Sequence, residues 1–460
     1  MDPMAAPFRV EARSEGSGRR LQIEGPRAGS GATLRRDYVL EATGQQDYLD
    51  LFEAVAGDFG TRLPRNRRPQ DRRPDAVGWT PLLTRPLSPG IVYGYGDPAV
   101  LRVEEQAGAA YYAFVTSNDA PDAFPILRST DLGRWQTRGF VFPAGQHPAW
   151  AASGPGTCDY WAPELHRIGD RYLLAFTARD RSGSLAIGIA RSSSPEGPFA
   201  ASEQPLLTGG VIDAHIFADH DGTAILLWKE DGNGRWPGLL AQALHRQSAL
   251  TPALFPDAPD RRTAELTAAL WPIMQALAPM ERFFLLQPLI EAAVDRYSRL
   301  REALTAVGED WARDILDAMR TPIFAARLAD DGASLIGDPR IILVNDLGWE
   351  GHLIEGPWLT RRDGRYFLFY AGNDFCTSEY GIGVAVADGV FGPYRKQPDP
   401  LLRSSSEWTG PGHPSVADGP DGTPRLFFHA YPPGQTGYKA FRAMLCASLR
   451  FDRAGVAVVE

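Results

Sequence analysis

The chain has 460 residues, 44 % of them hydrophobic and 22 % charged, and a formal net charge of −9. That length exceeds what one core usually organises, so one large domain with additions, or two domains, is expected. The acidic balance offers no basic field for nucleic acid or for an anionic membrane surface, and no run of 18 apolar residues reads as a membrane span.

In chain order, Met1 to Arg20 carries scattered charges and no apolar signal segment, which leads to the expectation of a cytoplasmic protein; an extracellular one stays open if the N-terminus had been trimmed. Three cysteines, Cys158, Cys376 and Cys446, are far apart and fit a reducing compartment better than a disulfide framework. Residues 1 to about 60 read as a short β-rich segment, with alternation at Phe8–Glu11 and Leu21–Glu24. Arg62–Asp75 is rich in Pro and Arg and reads as a solvated connector, so 1–78 is set apart as an N-terminal segment with its linker.

From Trp79 to the end, 79–460, the texture is one of short apolar strands separated by Gly, Asp and Pro. Two segments are the same unit. Asp170–Phe176, Ile187–Ala190 and Gly197-Pro198-Phe199 match Gly364–Tyr370, Ile382–Ala385 and Gly392-Pro393-Tyr394. Looser copies of the middle strand stand at Tyr111–Val115, Ala224–Trp228 and Arg425–His429. Each of the five follows a short strand that opens on a polar residue, at Asp97, Glu164, Asp213, Glu355 and His413. The steps between these openings are 67, 49 and 58 residues, whereas Asp213 to Glu355 spans 142. The excess is helical, as at Ala264–Leu270, Leu289–Val294 and Trp311–Leu316. Treating 237–320 as an insert restores a step of 58. The expected fold is all-β: a five-bladed β-propeller with a helical insertion in the third blade and a short β-rich N-terminal segment. The insert is expected to form a lid, to narrow the pocket or to build a homo-oligomer contact, with Met274, Met280, Phe283 and Phe284 forming its own core.

A propeller brings the openings of its inner strands to one mouth. Asp97, Asp213, Glu355 and His413, taken as equivalent positions, would then place three acids in one polar pocket. Carboxylates in strand context are costly unless used or paired. Two carboxyl groups in opposite protonation states are what glycosidic cleavage needs, and a third nearby raises the acid's pKa; no redox cofactor is required.

Five motifs, Tyr95-Gly96-Asp97-Pro98, Trp161-Ala162-Pro163-Glu164, Ile212–Phe217, Ile354-Glu355-Gly356-Pro357 and Gly410-Pro411-Gly412-His413, resemble those of glycoside hydrolase family 43. The resemblance implies that Asp97 is the general base, Asp213 the pKa modulator and Glu355 the general acid of an inverting reaction. It implies that His413 lies on the channel axis near a cation or water, with a structural calcium there, and that Arg442 orients a carboxylate. Glu164 would be structural or close to substrate. Tyr95, Trp161, His215 and Phe217 join His413 and Arg442 as expected substrate contacts, although aromatic residues pack in cores as readily as they stack on sugars. The expected partner is an oligosaccharide or glycoside, cut by an exo-acting α-L-arabinofuranosidase. A β-xylosidase, a β-galactosidase or galactanase, a transglycosylating propeller and a sugar-binding propeller without catalysis remain open.

Overall fold

The structure, a computed structural model, describes residues 7–67, 75–106, 108–154, 158–452 and 455–459, apart from 17, 43 and 77. The chain divides into two compact units, Met1–Asp71 with Gly232–Arg320 and Arg72–Asp231 with Thr321–Glu460.

In the first unit a three-stranded antiparallel sheet, Arg9–Glu15, Gly18–Pro26 and Thr33–Leu40, precedes a 15-residue helix, Gln45–Phe59. The helix is an element that the β-rich reading of this segment did not include. Its apolar residues Tyr48, Leu51, Phe52, Val55 and Phe59 recur at helical spacing and are buried. Five longer helices run from Arg235 to Ala318, and Tyr48 reaches one of them, donating its hydroxyl to Glu281 at 2.9 Å. Met274 and Phe284 lie in the core of this unit, as an internal role requires. The connector reading fails at Arg62, which is buried. Its guanidinium donates to Asp260 at 2.7 Å and to Asp295, with Glu291 at 3.9 Å. Positions 68–74 of that Pro/Arg-rich stretch lie outside the described residues.

Among the described residues the second unit holds five antiparallel sheets. Their leading strands are Ala99–Glu105, Trp161–Ile168, Val211–Ala218, Ile354–Arg362 and Thr409–Asp418. In the third sheet the second strand, Ala224–Glu230, pairs with Pro322–Leu328, so the helices interrupt the chain between these two strands. The fifth sheet is completed from far away in sequence. Trp79–Leu83 pairs with Ala443–Phe451, in the register Pro81 with Leu445.

The sheets are apolar on both faces, as their continuous Val/Ile/Leu/Phe runs predict. Each neighbouring pair shares one layer of side chains. Phe114 and Phe176 join first to second, Ile189 and Ile216 second to third, and Leu227 and Leu368 third to fourth. Phe369 and Phe428 join fourth to fifth, and Phe427 and Val115 join fifth back to first. The leading strands neighbour one another in the same cyclic order.

Candidate active site

Every leading strand is kinked at the same place. Asp97, Ala162, Asp213, Gly356 and His413 have φ of 55°, 43°, 58°, 56° and 49°. Each is followed by Pro or, at Ala214, by Ala. In four strands the pairing slips there: Trp161 faces Thr177 but Glu164 faces Ala175, and the same occurs after Ile212, Glu355 and Gly412. These are β-bulges, which re-aim side chains, and a positive φ in a non-glycine residue costs about 1–3 kcal/mol that the surrounding sheet must supply. The register corrects one expectation. Asp97, Asp213 and His413 are equivalent, but Glu355 stands one residue ahead of the kink, and Gly356 occupies the equivalent position.

Asp97 is buried. Its Oδ2 accepts a hydrogen bond from Thr116 Oγ1 at 2.5 Å and its Oδ1 one from Arg442 Nη1 at 2.8 Å. Its backbone N–H donates to His429 Nδ1 at 3.1 Å, which marks His429 as neutral. Burial and the Arg442 charge hold His429 down at about 4. Burial alone would raise the Asp97 carboxyl, but Arg442 and His413 outweigh it and hold it well below the usual range. Gly96 makes this possible, because a Cβ there would stand 2.0 Å from the Arg442 guanidinium.

Asp213 accepts the Gly356 backbone N–H at 2.8 Å, and its own N–H donates to Thr177 Oγ1 at 3.2 Å. Burial, reinforced by the like charge of Asp97, pushes its carboxyl up despite His413 and Lys229. Glu355 accepts the Tyr380 hydroxyl at 2.8 Å and has the fully buried Lys229 ammonium 3.6 Å away. Burial and Asp213 raise it, against the pull of Lys229. Tyr380 in turn is pushed far up by burial and then by all three carboxylates, so the acids form one electrostatic cluster.

His413 sits among them, with Nδ1 3.5 Å from Asp97 and Nε2 3.8 Å from Glu164. Burial would lower it, but Asp97, Glu164 and Asp213 raise it to about 9, so it is an imidazolium at neutral pH. Arg442 belongs to the same cluster through its bond to Asp97. Trp161 is half-buried, its indole N–H bonded to Asn118 at 3.0 Å and its ring faced by Arg179 at 5.8 Å.

Three expected contacts are placed elsewhere. Tyr95 is fully buried against Phe441, its hydroxyl bridging Leu87 N–H and the Arg85 carbonyl. Phe217, beyond the kink, packs on Tyr366 at 6.0 Å. His215 lies under the cluster with both nitrogens used, Nδ1 bonded to Glu164 at 2.6 Å and Nε2 accepting the Leu359 N–H at 3.0 Å. Side-chain volume in the inter-sheet layers decides the first two, and the Glu164 carboxylate decides the third.

Thr116, Lys229, Tyr380 and His429 were missed by sequence reasoning. Thr177, Lys229 and His429 share a signal: each is a polar residue within the apolar run of a second strand, across from a kink, and Thr116 stands two residues past the strand Gly108–Phe114, its N–H bonded to the Gly96 carbonyl. Tyr380 carries no such mark.

Among the described residues, Glu164, His166 and His215 could offer a metal three donors within 4.8 Å of one another. They do not fit calcium, which takes six to eight oxygen ligands. The 2.6 Å and 3.2 Å separations from Glu164 are those of hydrogen bonds, and the Leu359 N–H leaves His215 Nδ1 carrying its proton.

Comparison with known proteins follows this geometry. The model of glycosyl hydrolases family 43 matches residues 86–252 and 307–456. A xylosidase/arabinosidase 43A from Humicola insolens is 39 % identical over 80 residues, 17 % of this chain and 23 % of that protein. A xylosidase/arabinosidase from Bacteroides ovatus is 23 % identical over 70 % of this chain and 78 % of its own length. The solved structure of a thermostable family-43 glycoside hydrolase superposes with a TM-score of 0.56 at 24 % identity, covering 80 % of this chain and 93 % of the other. With the family's model matching well over half of its residues, the chain belongs to glycosyl hydrolases family 43.

Proposed function

We propose that this protein is an inverting glycoside hydrolase built on a five-bladed β-propeller, acting from the end of pentose-containing glycosides as an α-L-arabinofuranosidase. The five sheets sharing apolar layers in cyclic order support the propeller reading. One observation carries the chemistry: two buried carboxyls of one cluster are driven in opposite directions, Asp97 down and Glu355 up. Such a divergence assigns base and acid.

In this reading Asp97 takes a proton from water, oriented for it by Thr116 and Arg442. Glu355 gives its proton to the leaving oxygen, held by Tyr380. Asp213 keeps that proton on Glu355 by its charge. A single displacement calls for base and acid roughly 6.5–9.5 Å apart, with water between. The names of the relatives, which join xylosidase and arabinosidase, support a pentose and make β-xylosidase the second reading.

A panel of 4-nitrophenyl pentosides and hexosides, with the product anomer followed by NMR, tests the proposal. Release from the α-L-arabinofuranoside with inversion is expected. Retention overturns the mechanism, and turnover confined to hexosides overturns the substrate class.

A further inference from the structure

In the strand Ala224–Glu230, Lys229 follows the apolar residues 224–228 and lies across from Ile212, one residue before the Asp213 kink. It is fully buried, a place that lysine almost never takes unless it is paired. Its Nζ stands 3.6 Å from Glu355 Oε2, while the Tyr380 hydroxyl donates to the other oxygen, Oε1, at 2.8 Å. Among the described residues Lys229 is the only cation within 4 Å of the Glu355 carboxyl. The 3.6 Å separation is that of an ion pair not drawn in to hydrogen-bond length. Asp97, by contrast, is closed onto its own cation, Arg442, at 2.8 Å. Each of the two carboxyls thus has a buried cation, tight on the one held low and looser on the one pushed up.

We propose that Lys229 is a positioning residue for proton donation: its ammonium is the counter-charge for the Glu355 carboxylate that forms when the proton passes to the leaving oxygen. The proposal rests on the reading of Glu355 as general acid. In that step water bonds to the anomeric carbon as the bond to the leaving oxygen breaks. Asp97 takes the water's proton and becomes neutral, and Glu355 gives up its own and becomes an anion. One negative charge therefore crosses the cluster, from the Arg442 end to the Lys229 end. With Oε1 holding the Tyr380 hydroxyl, the proton leaves from Oε2, the oxygen beside Lys229. Without a cation there, the new carboxylate would stand buried and uncompensated near the like charge of Asp213.

Glu355 is faced by Lys229 and Asp213 from the third sheet, by Tyr380 from the segment between the second and third strands of its own sheet, and by His413 from the fifth. Asp97 of the first sheet acts on Asp213 and Tyr380. Burial and Asp213 favour the neutral carboxyl, and Lys229 is the largest influence towards the anion, ahead of Tyr380 and His413. Lys229→Met removes that charge, so Glu355 holds its proton to higher pH. Asp213 loses the same cation, and its carboxyl moves in the same direction. The alkaline limb of kcat should therefore move to higher pH by about one pH unit, the lower end of what an opposite charge at this range does. Lys229→Arg, which keeps the charge, should hold the limb near that of the parent. A weaker acid serves a poor leaving group less. Lys229→Met should therefore slow an alkyl glycoside several-fold more than a dinitrophenyl one, whose leaving group needs no proton. In a Glu355→Gln background it should make no such distinction.

A purely structural Lys229 would slow both substrates alike at every pH; that result, or an alkaline limb that stays or falls, overturns the proposal. Independently of turnover, infrared difference spectra of the full chain with isotope-labelled glutamate carboxyls read Glu355 itself, its band being the one lost in Glu355→Gln. In Lys229→Met that carboxyl should still carry its proton at a pH where the parent has lost it. An unchanged Glu355 titration overturns the proposal, whereas a parent that shows the shift but is inactive on every glycoside overturns only the reading of Glu355 as donor. Should Lys229→Met not fold, Lys229→Gln carries the same expectation, and no shift there is equally decisive.

Discussion

The backbone N–H of Gly356 donates to Asp213 Oδ2 at 2.8 Å, one residue after Glu355. One peptide thus links Glu355, the proposed acid, to the carboxylate proposed to tune it. Asp213→Asn keeps an oxygen for this hydrogen bond but removes the charge. Asp213 raises Glu355, so its loss lets Glu355 give up its proton at lower pH. The alkaline limb of kcat should shift to lower pH, with kcat at pH 7 down by about 10²-fold, the lower end of what a general acid contributes. A full pH–rate profile checks this, and an alkaline limb that stays put contradicts it.

Asp97→Asn and Glu355→Gln should each lower kcat by about 10²–10⁴-fold while leaving inhibitor binding within a few fold. The two should differ with the leaving group. A dinitrophenolate departs without a proton, so Glu355→Gln should retain far more activity on the dinitrophenyl glycoside than on an alkyl one. Asp97→Asn should lose equally on both. Steady-state kinetics on the two substrates separates the roles.

Stability should run against activity at these positions. Glu355 is raised in the folded state, mainly by burial, so its ionised form costs stability once the pH passes the unfolded value, and more as it approaches the folded one. Glu355→Gln should therefore raise Tm at pH 8, each kcal/mol being worth about 1–2 °C in a chain of 460 residues, and should change it little at pH 4. Calorimetry at the two pH values reads the difference. Asp97 behaves oppositely: its depressed carboxyl contributes stability above the unfolded pKa that is lost as the pH falls through the folded one.

In the first unit, Arg62→Ala removes one guanidinium from beside Asp260 and Glu291, while Asp260 keeps Arg296 at 2.8 Å and Glu291 keeps the Arg65 N–H at 3.0 Å. With these partners kept, the cost should stay below about 3–5 kcal/mol, that of a buried charge stripped of its partner. Amide exchange should accelerate across Gln45–Phe59 and Ala258–Val294, while a surface substitution such as Arg13→Ala leaves it unchanged.

The sheets and the acids of the second unit were legible because their signals are local. Asp97 and Asp213 interrupt apolar strands just before Pro98 and Ala214, and no packing need explains a carboxylate there. The one-residue offset of Glu355 was not legible, because Gly356 reads as a spacer until the register of both strands is known. Tyr95 and Phe217 mislead for the reverse reason. A large aromatic residue beside an acid reads the same whether it faces a sugar or an inter-sheet layer, and only the neighbouring sheet decides. The helix Gln45–Phe59 was written in the spacing of Tyr48, Leu51, Phe52, Val55 and Phe59, but the strands before it drew the segment into one class. The partners of Arg62 lie about 200 residues on, beyond any local pattern.

The strand Trp79–Leu83 waits a long time for its partner. In the register Pro81 with Leu445, the two residues are 364 positions apart. At a translation rate of about 5–20 residues per second, Leu445 is made roughly 20–70 s after Pro81. Throughout that interval the early strand is an unmatched edge, the kind that invites association with other chains. The ribosome must pass Leu445 before this edge can be sealed, and a nascent chain stalled anywhere short of Ala443 would leave it open.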